Sequence, residues 1–369
     1  MLRRDNCGNF GAVFAEKMVL APPLIPKRNR SEACPCWSVM IPTYNARADY
    51  LQETLRSVLQ QDPGPEKMQI EIVDDCSPNG APVEMVDRIV GNRVAVHREP
   101  RNNGLAGIWN RCIERARGDW IHILHQDDFV LPGFYIAMQK GMSDSRVGAL
   151  FCRYAEINPD GHWLRISHLH RGSAGLPDAW LEKIAVHQLI QCPAIVVRRS
   201  VYEELGGFCP QLRYTLDWEM WQRIAARYSF WFEPAILACY RVHPASATSK
   251  LRLDAQDLRE VRSMIKMSRS YHPPHRASQL ARQSRAFYAG LAVENSRDLL
   301  VQGHAAAARR QVIEALRTSR SIKVLWKVGA FLILQARIME ARLKRRFRSI
   351  LGRIPRPQRT AKTESQSAK

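Results

Sequence analysis

Gln69-Ile-Glu-Ile-Val-Asp-Asp75 is a short apolar, β-rich run that stops abruptly on two acids, and Trp120-Ile-His-Ile-Leu-His-Gln-Asp-Asp128 repeats the design further along the chain. Such a run reads as a buried parallel strand that delivers carboxylates to the C-terminal edge of a sheet. Open α/β sheets bind their ligands at that edge. Two acid pairs in one domain point to a divalent cation and a phosphorylated ligand. Either pair alone could be an ordinary cap or turn former. Their joint occurrence at one sheet edge favours a site.

The flanking sequence supplies the rest of an alternating pattern. Strands are expected at 37–41, 69–73, 93–97 and 120–124, with helices at 49–61, 83–90 and 105–116 between them. Strand–helix alternation with short connections implies right-handed crossovers and a largely parallel sheet. Beyond Asp128 the expected elements are a helix at 132–142, a long strand at 147–157, helices at 176–189, 200–205 and 217–227, and strands at 194–197 and 230–240. From Leu251 onward the chain reads as helical, broken at His272-Pro-Pro274 and Gly303. The expected organisation is an irregular leader (1–36), a catalytic domain (37–250), a basic helical extension (251–354) and a disordered tail (355–369).

Charge follows the same division. The chain carries a net +20, yet residues 251–369 hold 26 Lys/Arg against 8 Asp/Glu, so the first 250 residues are almost neutral. The nine cysteines show no zinc-ligand spacing, and several lie in apolar runs, as buried thiols of a reducing compartment do. No secretory signal is recognisable, and the apolar run 324–336 is too short to span a bilayer. A cytoplasmic location follows as the expectation. No Gly-rich dinucleotide fingerprint or P-loop comes after the first strand.

The motifs, taken in order, resemble the family 2 glycosyltransferases. Ser38-Val-Met-Ile-Pro-Thr-Tyr-Asn45 looks like that family's first strand, and Glu71-Ile-Val-Asp-Asp-Cys-Ser77 like its nucleotide-binding segment. Asn102-Asn-Gly-Leu-Ala-Gly-Ile-Trp-Asn110 and Ala116-Arg-Gly-Asp-Trp120 look like the approach to its DxD strand. His125-Gln-Asp-Asp-Phe-Val-Leu-Pro132 is similar to the DxDD segment itself, with His125 where the first acid is expected. Leu205-Gly-Gly-Phe208 with Asp217-Trp-Glu219 looks like the acceptor-side motif, and Tyr240-Arg-Val-His243 like the closing segment.

The resemblance implies an α/β GT-A fold with a Rossmann-like, mostly parallel sheet and a C-terminal helical extension. It implies inverting transfer of a sugar from a nucleoside diphosphate sugar to a glycan or lipid-linked glycan. Pro42, Thr43, Tyr44, Asn45, Asp74, Asp75, Asn103, Gly104, Asn110, Asp127 and Arg241 would bind the donor. Asp128 and His243 would hold Mg²⁺ or Mn²⁺, a hard cation suited to carboxylate and diphosphate oxygens. Asp217 would be the general base, with Glu219 a secondary candidate. For His125, a strand-end imidazole bonded to main chain is favoured over ligation. Trp218 and Trp221 read as packing residues.

The mixed basic and apolar sequence 323–352 reads either as a peripheral contact to the anionic inner face of the cytoplasmic membrane or as a solvated helix packed on the catalytic domain. Nucleic-acid binding lacks an accompanying motif. Alternatives to transfer are a sugar nucleotidyltransferase and an inactive, membrane-associated protein that keeps the fold.

Overall fold

A computed structural model describes residues 22–29, 34–243 and 247–351. Expectations for the remaining leader residues and for the tail 355–369 lie outside the described residues. The alternation of the first third is present: β1 (Trp37–Thr43), α1 (Ala48–Leu59), β2 (Met68–Asp74), α2 (Val83–Val90), β3 (Ala95–Arg98), α3 (Gly104–Arg115) and β4 (Trp120–Ile123). Every residue of β1, β2 and β4 is buried, because helices cover both faces of these strands. Hence the near-continuous apolar runs in the sequence.

The next stretch contains β5 (Phe129–Val130), α4 (Phe134–Gln139), β6 (Val147–Ile157), β7 (Trp163–Ile166), α5 (Trp180–Val186), β8 (Ile195–Arg198), α6 (Arg199–Leu205), α7 (Leu216–Ala225) and β9 (Ser229–Arg241). All nine strands join one sheet in the order β3-β2-β1-β4-β8-β6-β9-β5, with β7 paired to β6. The expectation of a mostly parallel sheet holds only in part. β3, β2, β1 and β4 run parallel, as do β6 and β9. The pairs β4–β8, β6–β8, β5–β9 and β6–β7 are antiparallel. A helical crossover forces a parallel return, and the segments after β4 are not regular crossovers. β5 and β7 escape sequence detection. β5 is two residues long, and β7 is exposed along its whole length, so neither shows a periodicity.

Gly118 shows how tightly the sheet and its connections are packed. A Cβ there would lie 2.5 Å from the Trp37 carbonyl carbon, and the Gly118 N–H donates to Ser38 Oγ at 2.7 Å. Only glycine permits this approach. Part of the expected leader is docked: Ile25 is buried in the core, and Pro23 O accepts a bond from Gly207 N at 2.8 Å.

The remaining helices are α8 (Ala247–Leu253), α9 (Gln256–Met267), α10 (Pro274–Val301), α11 (Ala305–Thr318) and α12 (Ile322–Leu351). The line drawn at residue 250 falls inside α8. α10 lies against α5, where Tyr288 Oη accepts from Gln188 N at 3.0 Å and its ring meets Trp218 of α7 at 4.9 Å. The extension therefore buttresses the helix that carries Asp217.

Candidate active site

Strand register assembles the site. Thr43 pairs with Asp74 across β1–β2, and Met40 pairs with Ile123 across β1–β4. The Leu124 N–H then donates to Met40 O at 3.0 Å. Thr43–Asn45, Asp74–Asp75 and His125–Asp128 accordingly leave the sheet side by side. Asn45 and Cys76, each just past a strand end, have φ of 50° and 56°, the strained left-handed conformation often found at functional edges. Gln126 fastens two of these ends. Its Oε1 accepts from Tyr44 N at 2.8 Å, and its Nε2 donates to Tyr44 O at 3.2 Å. The sequence assigns Gln126 no role, and nothing in its local context marks it for one.

The first acid pair is answered by its own surroundings. Asp74 is fully buried and accepts bonds from Ser77 N (2.9 Å), Ser77 Oγ (2.5 Å) and Thr43 Oγ1 (3.2 Å). These bonds shape the turn after β2. Asp75 accepts from Asn103 N (2.7 Å), Asn103 Nδ2 (3.1 Å) and Gly104 N (3.0 Å), so it caps the start of α3. Burial raises its carboxyl above the ordinary range, against the opposing effect of these bonds. Tyr44, exposed at the rim beside them, presents a free ring face.

The second pair is different. His125, Asp127 and Asp128 offer one ligand atom each within 4.8 Å of one another. Asp128 is 1% exposed; Oδ1 accepts from Arg241 N at 2.8 Å, and Oδ2 has no hydrogen-bond donor. His125 Nδ1 stands 3.3 Å from that oxygen, out of line for a hydrogen bond, and His125 Nε2 is also buried without a partner. The imidazole stacks on Trp109 with ring centres 4.9 Å apart. His125 is therefore not the main-chain-bonded imidazole that was favoured. Burial pushes the Asp128 carboxyl up to about 6. Asp127 is held below the ordinary range, since the His243 bond at 2.8 Å and the His125 charge outweigh its burial. Buried polar atoms left without partners are rare and call for a ligand. Two of them in a His/Asp/Asp cluster fit a divalent ion.

Three further candidates are engaged within the protein. His243 contacts Asp127 Oδ2 at 2.8 Å, beside the cluster. The Arg241 guanidinium is bound to the carbonyls of Asp127, Asn158 and Pro159 and to Glu53, over the Tyr50 ring. It braces the loop around the site and does not face an open phosphate position. Asn110 spans Phe208, accepting from its N–H at 2.7 Å and donating to its carbonyl at 2.9 Å. Phe208 follows Gly207, where a Cβ would lie 2.3 Å from Asn110 Oδ1. Asn110 and the Gly-Gly-Phe motif are thus one packing unit.

Asp217 lies in the first turn of α7, partly accessible, and accepts from Trp218 N at 2.7 Å. Burial pushes its carboxyl up to about 6. Asp217 and His125 each feel the other's charge. Glu219 is committed elsewhere. It is buried, paired with Arg223 at 2.9 Å and bonded by Tyr271 Oη at 2.6 Å. Trp218 and Trp221 are buried packing residues, as read.

Glu260 of α9 was missed. It accepts from the N–H groups of Arg213, Tyr214 and Thr215 and from Thr215 Oγ1, at 2.7–3.1 Å. One carboxylate from the extension thereby holds the turn that leads into α7 and Asp217. No local pattern could connect residues so far apart in sequence.

The model of the Glycosyl transferase family 2 domain matches residues 38–206. The chain belongs to glycosyltransferase family 2. A protein of Mycobacterium tuberculosis, MT1568, is 30% identical over 233 residues, covering 59% of this chain and 71% of that protein. The chondroitin synthase of Pasteurella multocida is 25% identical over 226 residues, which are 60% of this family 2 chain but only 22% of the synthase. Among solved structures, the mannosyltransferase PcManGT from Pyrobaculum calidifontis, in complex with GDP-Man and Mn²⁺, superposes with a TM-score of 0.53 at 19% identity, over 85% of this chain and 83% of that one. That likeness shows the GT-A fold. Among the described residues of this family 2 glycosyltransferase, no helix is long and apolar enough to cross a membrane.

Proposed function

We propose that this chain transfers a sugar, with inversion, from a nucleoside diphosphate sugar to a hydroxyl of a glycan or lipid-linked glycan in cell-surface polysaccharide synthesis. The observation that carries the proposal is the His125/Asp127/Asp128 cluster, with its two buried atoms that lack a hydrogen bond, at the same sheet edge as Asp75 and with its His125 feeling the charge of Asp217. The chondroitin synthase among the relatives makes a polysaccharide product plausible chemistry for this scaffold, and PcManGT carries both a nucleotide sugar and a metal.

In this reading Asp75 accepts a bond from the donor base, and Pro42, Thr43, Tyr44 and Asn45 pack along it. Asn103 and Gly104 hold Asp75 in place. His125, Asp127 and Asp128 hold Mg²⁺ or Mn²⁺, which when bound neutralises the departing diphosphate as a Lewis acid. Asp217 takes the proton of the acceptor hydroxyl from the side opposite the leaving group, as inversion demands. A raised carboxyl suits this role, because a base is most effective when its pKa approaches the working pH.

Asp217→Asn tests the assignment. Transfer should fall by about 10²- to 10⁴-fold, while calorimetry should show donor binding unchanged. Undiminished turnover removes Asp217 from the reaction. In the native enzyme kcat should fall as pH drops through about 6, where the Asp217 carboxyl takes up its proton. Stability should move the other way. The folded state raises this carboxyl's pKa, so ionised Asp217 is a cost to folding that vanishes below the unfolded value. Asp217→Asn should raise Tm at neutral pH, with the gain fading as pH is lowered towards about 4.

A further inference from the structure

α12 has two faces of opposite accessibility. Val324, Val328 and Phe331 are buried towards α10 and α11. Beside that seam runs a second apolar stripe, Ile322, Leu325, Trp326, Leu332, Ile333, Met339 and Leu343, all of it exposed, with Ile322 at 85% and Trp326 at 77%. The spacing of three, four and seven residues keeps these side chains on one side of a helix about 45 Å long. A contiguous exposed stripe of this length is uncommon on a soluble surface and marks an interaction face. The same helix holds eight Lys/Arg and a single acid, Glu340, which pairs with Lys344. Lys323, Arg337 and Lys344 are exposed along the stripe's margin.

The charge selects the occupant. Residues 251–369 carry a net +18, so a second copy docking through this face would bring two strongly basic surfaces together. A surface that is both apolar and negative satisfies both halves of the pattern. We propose that the exposed face of α12 seats this protein on an anionic phospholipid bilayer, with Trp326, Leu332 and Ile333 entering the headgroup–acyl boundary and the flanking cations meeting lipid phosphates. The helix lies in the interface plane and does not cross it. A Trp at the margin of such a stripe is suited to that boundary, where its ring is buried and its N–H stays wet. The proposal is independent of the transfer reaction, and it resolves the two sequence readings of this segment: one face packs on the protein, and the other is left for the bilayer.

Flotation of the full-length protein with vesicles tests it, one set of pure phosphatidylcholine and one containing about one third phosphatidylglycerol. Binding is expected only to the anionic set, and it should be lost in about 0.5 M salt, where screening is short-ranged. The triple variant Trp326→Ser, Leu332→Ser, Ile333→Ser should bind at least about tenfold more weakly with an unchanged melting temperature, because the three side chains leave no cavity. The double variant Lys323→Glu, Arg337→Glu should lose the preference for anionic vesicles. Failure of the native protein to float, or equal flotation of the triple variant, overturns the proposal. So does sedimentation of the native protein as a dimer that the triple variant converts to a monomer.

Discussion

Asp74–Asp75 and Asp127–Asp128 look alike in sequence, each pair ending an apolar strand at the same sheet edge, yet the structure treats them in opposite ways. The first pair is met by donors supplied from its own neighbourhood: Ser77 and Thr43 donate to Asp74, and the start of α3 donates to Asp75. The second pair is left with a buried Asp128 oxygen that meets only the His125 imidazole, at 3.3 Å and without a hydrogen bond, and with a buried His125 nitrogen that has no partner. A strand-end carboxylate becomes a candidate ligand through what fails to reach it. That property depends on the turn that follows the strand. After β2 the chain doubles back at Cys76–Ser77 and spends its donors on Asp74. After β4 the turn places Asp128 N on His125 O, at 3.2 Å, and leaves the side chains facing one another.

The sharpest way to break this comparison is to remove one member of each pair. Asp128→Ala should lower kcat by about 10²- to 10³-fold and abolish the response of the rate to Mn²⁺, measured by titrating the metal at saturating donor. Asp74→Ala should act on the fold. It strands three buried donors, a loss of roughly 3 kcal/mol, visible as a lower denaturant midpoint. The surviving folded enzyme should keep the native apparent affinity for Mn²⁺. If Asp74→Ala shifts the metal titration as Asp128→Ala does, the division between a structural and a metal-facing pair fails.

Most of what positions the second pair was legible. The alternating strands, the motif order and the acids at the strand ends are local features, each readable within about ten residues. Asp217 was reached through the family resemblance, from Asp217-Trp-Glu219 following Leu205-Gly-Gly-Phe208. What was not legible shares a physical cause. Asn110, Arg241 and His243 each meet a backbone or side-chain partner roughly a hundred residues away or more. Hydrogen-bonding capacity is visible in a sequence, whereas the partner that consumes it is not. The half-antiparallel sheet was not legible for a related reason: the direction of each strand after β4 is set by which strand it pairs with, β8 with β4 and β6, and β5 with β9, and that pairing is not written in the local sequence.

Glu260 extends the comparison to the acceptor side. Like Asp74 it is a carboxylate whose capacity is spent on backbone N–H groups, but the turn it holds leads directly to Asp217. Glu260→Ala should cost about 1–3 kcal/mol of stability, because it leaves the donors of that turn without their acceptor. If it also positions the base, kcat should drop about tenfold with KM for the donor unchanged, and Glu260→Gln should restore part of the rate. A variant that melts earlier but turns over at the native rate would make Glu260 a fastening of α9 to α7 and nothing more.

The smallest expected effect sharpens the comparison most, because it alters the metal-facing pair without emptying it. His125 stands where the family resemblance calls for an acid, stacked on Trp109 with its outer nitrogen unanswered. A neutral imidazole can ligate, but it adds no negative charge to the two aspartates. His125→Asp supplies that charge at the same strand end, so apparent Mn²⁺ affinity should rise about tenfold, since ligand charge count tunes such sites. Without metal the same change should destabilise the fold, because a third carboxylate joins two that already repel one another. A metal titration followed by thermal melting, with and without Mn²⁺, reads both effects in one preparation. Should affinity fall instead, the imidazole itself is the preferred ligand, and the departure from the family's acidic segment marks a cluster tuned to a softer ion than Mg²⁺.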